Sequence, residues 1–272
     1  AAFPARIEAA TVDHKLRPEA EAEARFVNTL CTALGVPHII LPLDPATRGT
    51  ANVSDWARQQ RYAVLSGWMQ DRALDMLFTA HHADDQLETL LMRLNRGAGL
   101  AGLAGVRTRR GAVARPLLGW RKAELDALVR TCGLEPVIDP ANADDRYDRA
   151  RLRKALAAAD WLDPVAATRS AAALEQAEAA LAWSAAALEG ERMKAGGDAV
   201  SLDPQGLPRE LTRRLLLSAL RHTNPAAKPR GDEVERLLDT LSAGRTATLA
   251  GVKCRGGALW RFTAAPPHRS GR

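Results

Sequence analysis

Cysteine is scarce in this chain and poorly placed for chemistry of its own. The three present, Cys31, Cys132 and Cys254, are far apart and never form Cys-x-x-Cys. That spacing argues against a disulfide framework and offers no iron–sulfur ligand set. A reducing, cytoplasmic compartment is the expectation. Aromatic residues make up only 4% of the chain, so packing is expected to rest on helices with small aliphatic side chains. No apolar run approaches the roughly 18 residues of a membrane span, and no membrane partner is expected. The start, Ala1 to Arg6, lacks a signal-peptide layout. No His-x-x-x-His spacing is present, which argues against a zinc hydrolase and leaves no candidate metal ligands. No internal repeat of solenoid period is visible.

What is present is a basic chain with ample apolar content. Its 272 residues are 46% hydrophobic, and 38 basic against 32 acidic residues leave a net charge of +6. This is enough for one α/β domain and a smaller second one, and the charge suits a polyanionic partner.

The most informative segment is Phe78-Thr79-Ala80-His81-His82-Ala83-Asp84-Asp85-Gln86-Leu87-Glu88-Thr89-Leu90-Leu91. Met76 to Thr79 reads as a short buried strand, and helical periodicity begins after His82. At about 100° per residue, Leu87, Leu90, Leu91 and Leu94 share one face. Asp85, Glu88, Met92 and Arg96 share the opposite one, so the leucines are expected to pack and the acids to face outward. Two imidazoles and three carboxylates thus fall where a strand becomes a helix, the place where ligands bind in open α/β sheets. The alternative reading is local: acids in a first helical turn are ordinary capping chemistry.

The flanking chain alternates strands and amphipathic helices. Ile7 to Val12 and His38 to Leu43 read as strands. A helix follows Pro18 with Phe26, Leu30, Ala33 and Leu34 as its stripe, and another spans Val53 to Met69 with Trp56, Val64, Leu65 and Trp68 inward. This pattern predicts a parallel, doubly wound sheet. The glycine-rich stretch from Gly97 to Gly105 follows; it could cradle phosphate or simply pack closely, and lacks the Gly-Lys-Ser/Thr of a Walker loop. Beyond it, Trp161 to Arg192 reads as a connecting helix, Leu207 to Leu220 and Asp232 to Leu241 as two more helices, and Gly256-Gly257 as a two-residue hairpin turn.

Six blocks in order carry a family resemblance: Thr11-Val12-Asp13-His14, Arg58-Gln59-Gln60-Arg61-Tyr62, Thr79 to Thr89, Arg96-Gly97-Ala98-Gly99, Arg115-Pro116-Leu117-Leu118, and Asp139 to Arg153. Together they resemble the bacterial tRNA(Ile)-lysidine synthetases, N-type ATP pyrophosphatases. The resemblance implies an α/β fold like that of the adenine nucleotide alpha-hydrolases, with a parallel doubly wound sheet that is N-terminally incomplete, then a small, mostly helical α+β domain. The implied layout is a catalytic domain over residues 1–158, a connecting helix over 159–190 and a tRNA-binding domain over 191–272.

The resemblance further implies ATP with Mg2+ as cofactor, free L-lysine as substrate, and tRNA(Ile) with a CAU anticodon as partner, with a homodimer left open. The wobble cytidine would be adenylated and lysine would then displace AMP. By the same resemblance Asp85, Glu88, His81 and Arg61 are catalytic, and Asp85 and Glu88 bind lysine. Asp13, His14, Arg61 and His81 bind ATP, and Arg96, Arg149 and Arg153 bind tRNA. The family's Ser-Gly-Gly-x-Asp-Ser loop does not occur here, so the chain as given is expected to be inactive. Lys15 stands where that family usually has glycine. A non-catalytic tRNA- or nucleotide-binding module, or another tRNA-modifying pyrophosphatase, is the alternative.

Overall fold

A computed structural model describes residues 7–15, 19–48, 53–134, 136, 146 and 148–266. The chain divides into two compact units, Ala1–Ala172 and Ala173–Arg272. The Asp139 to Asp145 part of the last sequence block lies outside the described residues.

The first unit begins with β1 (Ala9–Asp13), α1 (Ala20–Ala33) and β2 (His38–Pro42). β1 and β2 pair in parallel, from Ala9 opposite His38 to Asp13 opposite Pro42, as a strand–helix–strand crossover requires. α1 buries Ala24 and Cys31, while Phe26 and Leu34 stay exposed; the small side chains, not the large ones, meet the sheet. α2 (Val53–Asp71) follows and buries Trp56, Leu65, Trp68 and Met69.

β3 (Leu77–Phe78), α3 (Ala83–Leu94), α4 (Leu100–Leu103), β4 (Arg109–Arg110) and β5 (Val113–Ala114) come next. β3 runs parallel to β5, and β5 pairs antiparallel with β4. Leu65, Trp68, Met69 and Leu77 pack with Ala10, Val12, Leu41 and Val113. One apolar core therefore backs both strand sets although no ladder joins them among the described residues. Both parallel sets end at the residues of interest: β1 runs into Asp13 and His14, and β3 into His81. α5 (Lys122–Thr131) and α6 (Asp148–Ala157) follow, and α7 (Pro164–Arg192) runs through the boundary between the units.

The second unit is α+β, with more strand than the sequence suggested. β6 (Met193–Gly196), β7 (Ala199–Leu202), β8 (Thr246–Leu249), β9 (Val252–Arg255) and β10 (Trp260–Ala264) form one antiparallel sheet in the order β6-β7-β10-β9-β8. α8 (Arg209–Thr223) and α9 (Gly231–Ser242) supply Leu215, Leu216, Leu237 and Leu238, which pack with Val200, Phe262 and Trp260 of one sheet face. Fully burying side chains of this size contributes about 1.5–3 kcal/mol each.

The two-residue hairpin turn is Ala250-Gly251, between Leu249 and Val252, with φ of 48° and 75°. Paired positive φ values give the twist a tight hairpin needs. Gly256-Gly257 does lie in a hairpin, since β9 and β10 pair antiparallel across it, but that connection is longer than two residues. No described helix is long and apolar enough to cross a membrane.

Candidate active site

α3 starts where the sequence places it, and its first turn is locked by local bonds. The N-cap is His82, whose Nδ1 accepts from Asp85 N, while the Asp85 carboxylate accepts from His82 N at 3.2 Å. This reciprocal capping box satisfies N–H groups that the helix itself cannot. Asp84 turns away to cap another helix: its carboxylate accepts from Lys122 N at 2.7 Å and from the Arg121 guanidinium at 3.3 Å. Burial opposes ionisation of Asp84, yet those two donors hold its carboxyl below the usual range. The capping reading thus describes Asp84, and part of what Asp85 does.

Glu88 has no such local role. Its position on the face expected to point outward is corrected by the structure, in which it is 4% exposed while Leu94 is 59% exposed. The reason is tertiary: α6 lies against this face and brings two arginines onto it. Arg153 Nε donates to Glu88 Oε1 at 2.6 Å, and Arg149 Nε stands 2.8 Å from Oε2. Arg153 also reaches Asp85 at 3.4 Å, and Arg149 donates to Thr89 Oγ1 at 3.0 Å. Burial disfavours the Arg153 cation, but Glu88, Asp85 and Asp84 more than offset this and raise its pKa. The acids assigned to lysine and the arginines assigned to tRNA therefore form one network.

A cavity of about 920 Å³ opens beside this network, lined in part by His82, Asp84, Glu88, Arg121, Lys122 and Arg153. His81 is half-buried just before the helix, with Nδ1 3.0 Å from Thr79 Oγ1. Burial pulls its imidazole below the ordinary 6.5; Asp85 opposes this, and Arg115, Arg58 and Arg149 reinforce it. His81 is consequently neutral at pH 7 and able to accept or donate one hydrogen bond at a ligand.

The second group of assigned residues collects at the end of β1. Arg61, on α2, places Nη2 2.9 Å from His14 Nε2. Asp13 is buried, and one of its carboxylate oxygens accepts from Lys15 N at 2.8 Å. Burial and Arg61 lower the pKa of His14 against the pull of Asp13. Its Nδ1 is buried with no hydrogen-bond partner, an arrangement that costs about 1–3 kcal/mol unless a ligand or water completes it. Arg96 joins neither group: it follows the C-terminal end of α3, mostly exposed, 3.4 Å from Asp148.

Comparison with known proteins gives the family. Residues 2–159 match the PP-loop domain family. The tRNA(Ile)-lysidine synthase of Novosphingobium aromaticivorans is 47% identical over 97% of this chain and 82% of its own length. The chain belongs to the tRNA(Ile)-lysidine synthase family. A second member, from Zymomonas mobilis, is 40% identical over 98% of this chain and 83% of its own. The member from Ruegeria pomeroyi is 39% identical over 89% of this chain and 60% of its own.

Within this family framework, two features were not assigned a role from sequence. Arg115, read only as part of Arg-Pro-Leu-Leu, is buried; it donates to Arg107 O at 2.7 Å and to the Tyr62 hydroxyl at 3.4 Å. Its charge bears on His81. Arg58 stacks over Tyr62 with 5.4 Å to the ring centroid, and also bears on His81. For Arg115 the hint was its place before the immobilising Pro116, and for Arg58 only its place in the Arg58 to Tyr62 block. The far end of the glycine-rich stretch is closely packed, while Gly97 and Gly99 have open space around them. Arg93 donates to Gly102 O and Gly105 O at 2.6 and 2.9 Å, and a Cβ at Gly105 would collide with the Gln86 carboxamide.

Proposed function

We propose that this chain carries the lysidine-forming activity of its family, with the buried Glu88–Arg149–Arg153 network beside the α3 N-terminus as the lysine end of the site. The carrying observation is the family match over nearly the whole chain, and the matched domain over residues 2–159 spans that network. ATP would adenylate the wobble cytidine of a CAU-anticodon tRNA(Ile) at its carbonyl oxygen with loss of pyrophosphate. The lysine amine would then attack the activated carbon, and AMP would leave. Adenylation turns a poor leaving group into a good one, and holding base, nucleotide and amine together supplies the rest.

The neutral His81 and the Arg61 guanidinium would contact the phosphate side, where charge develops. The unfilled Nδ1 of His14, with Asp13, would meet the adenine or ribose. Among the described residues no three His, Cys, Asp or Glu side chains form a metal cage. Mg2+ would accompany the ATP phosphates and neutralise part of their charge.

Asp85 and Glu88 would receive the lysine ammonium groups, and one would take a proton as the amine attacks. In the structure their charge is matched by Arg149 and Arg153, so lysine gains access once those arginines turn to tRNA phosphate. Lysine binding is then expected to depend on tRNA. The cytoplasm, where ATP, lysine and tRNA coincide, is the proposed location, and a homodimer is open to measurement.

The test is ATP- and lysine-dependent modification of a CAU-anticodon tRNA(Ile) transcript. It is made with this chain and with a version preceded by the family's Ser-Gly-Gly-x-Asp-Ser segment. Lysidine from either supports the proposal; no product from either, with tRNA still bound, supports a binding module instead.

A further inference from the structure

Three guanidiniums of the first unit gather about one side chain, Tyr62 of α2, and none of them forms an ion pair among the described residues. Arg58 lies over the Tyr62 ring, 5.4 Å from its centroid. Arg115 Nη2 donates to the Tyr62 hydroxyl at 3.4 Å, and Arg61, the residue before Tyr62, places Nη2 2.9 Å from His14 Nε2. Each cation is thus oriented by a neutral group. The acids of the site are engaged elsewhere, Asp85 with His82 and Arg153, and Asp13 with Lys15 N.

Unpaired arginines at a surface are ordinary, and Arg109, Arg110 and Arg130 are exposed examples. Arg115 differs from them in being only 6% exposed. Its Nη1 donates to Arg107 O at 2.7 Å, but its Nε is buried with no hydrogen-bond partner. A guanidinium does not shed its proton to escape such a place, and neutral acceptors do not return all that a buried charge loses in hydration. The fold nonetheless supports it rigidly. Arg107 leaves a loop that α3 pins from two positions: Gln86 exchanges hydrogen bonds of 2.6 and 3.1 Å with Val106, and Arg93 holds Gly102 O and Gly105 O. Arg115 is therefore a fixed, buried cation whose counter-ion the described chain does not supply.

Its place is the crevice beyond the carboxyl ends of a parallel strand pair, where ligands bind in open α/β sheets. Phe78 pairs with Ala114, and Thr79 N donates to Ala114 O at 3.0 Å, so Arg115 leaves β5 beside the residues that lead from β3 to His81. Arg115 and Arg58 both act electrostatically on His81, and Arg58 acts on Arg61. Arg58 and Arg61 are exposed, so an anion arriving from solvent meets them first, with the buried Arg115 behind. Three cations about one side chain suit a compact group that carries several negative charges, and a guanidinium fork fits two phosphate oxygens. A nucleic-acid backbone instead spreads its charges one to a nucleotide.

We propose that Arg58, Arg61 and Arg115, fixed about Tyr62, form a polyphosphate site that holds the pyrophosphate end of ATP. Of the three, Arg61 alone is assigned to the nucleotide by resemblance. That the polyphosphate belongs to ATP rests on the proposed function; the charge arrangement does not. As the cytidine oxygen bonds to the α-phosphorus, the bond from that phosphorus to the bridging oxygen breaks. Its electron pair passes to the departing pyrophosphate, and the three cations receive the added charge.

The experiment titrates inorganic pyrophosphate into the full chain by isothermal calorimetry, beside Arg58→Gln, Arg115→Gln and, as a control of net charge, Arg110→Gln. Hydrogen bonds to charged groups are the stronger ones, so Arg58→Gln should bind at least about tenfold more weakly. Arg110 is exposed on β4 away from Tyr62, and its variant should stay within about twofold of the parent. Pyrophosphate should raise the thermal midpoint of the parent but not that of Arg115→Gln. Should Arg115→Gln fail to fold, the exposed Arg58 carries the test, with an unliganded midpoint expected to match the parent. A short uridine oligonucleotide is titrated in parallel.

Parental pyrophosphate affinity in Arg58→Gln would overturn the proposal, and so would an equal loss in Arg110→Gln, which would show an effect of net charge alone. A parent that binds the oligonucleotide but not pyrophosphate would overturn it by giving these arginines to an RNA backbone. Each of these results leaves lysidine formation untouched. Pyrophosphate held by these arginines, with no lysidine from either chain, would instead remove the proposed function and keep the site.

Discussion

Replacing Glu88 by glutamine keeps the shape of the side chain and removes its charge. The consequence can be worked from the contacts. Glu88 is almost fully buried and faces Arg153 Nε at 2.6 Å and Arg149 Nε at 2.8 Å. A hydrogen bond to a charged group is worth about 1.5–3 kcal/mol net when buried. Both arginines, however, have side chains 34% and 43% exposed, so water takes up part of what they lose.

A net loss of about 2 kcal/mol is expected, which lowers the midpoint of the first unit's thermal unfolding by about 4–8 °C. A double-mutant cycle of Glu88→Gln with Arg153→Gln isolates the pair, and a coupling of about 1–2 kcal/mol is expected. If the two single effects add to within about 0.3 kcal/mol, the network does not hold α6 against α3 and the argument fails. Glu88→Ala is further expected to abolish the lysine dependence of product formation while tRNA affinity is kept. Turnover at the parental rate in that variant would remove Glu88 from the lysine site.

Three further outcomes are expected. Because burial, outweighing Asp85, holds His81 below 6.5, the unfolded chain takes up that proton first as pH falls. Stability is then full above 6.5 and declines as pH drops from there toward the lowered folded value. Thermal midpoints between pH 7.5 and 5.5 should decline less in His81→Gln, and equal declines count against the assignment. Lys15 adopts φ of 50°, a left-handed conformation that glycine adopts freely, so Lys15→Gly should raise stability by up to about 1 kcal/mol. A lower unfolding midpoint in that variant contradicts the account. Finally, Cys254 is buried, with its thiol pushed up to about 12, Cys31 is buried, and Cys132 is exposed. An aromatic disulfide reagent should therefore label Cys132 alone on the native chain, and rapid labelling of Cys132→Ser would show that a buried thiol is reachable.

Much of the first unit was legible in the chain because its signals are local. A short apolar strand, then His82, then apolar periodicity place the start of α3 at Ala83, and the first-turn acids do cap helices. Lys15 records a local demand as well, since the position that the family usually gives to glycine is one of positive φ. In the second unit, Ala250-Gly251 was passed over in favour of Gly256-Gly257. Two adjacent glycines look like a turn, whereas the register of β8 against β9 decides where the tight turn falls. The strands β6, β7 and β8 were missed because Met193 to Gly196, Ala199 to Leu202 and Thr246 to Leu249 are only four residues each and carry little apolar alternation.

The sequence by itself determined the family, the α/β character of the first unit, and the collection of imidazoles and carboxylates at the end of a strand, since these follow from residue order and periodicity within one segment. Only the tertiary structure decided which way Glu88 faces and what neutralises it. Helical periodicity separates an apolar face from a polar one, but it does not say whether the polar face meets water or another helix. Here it meets α6, with Arg153 65 residues further along the chain.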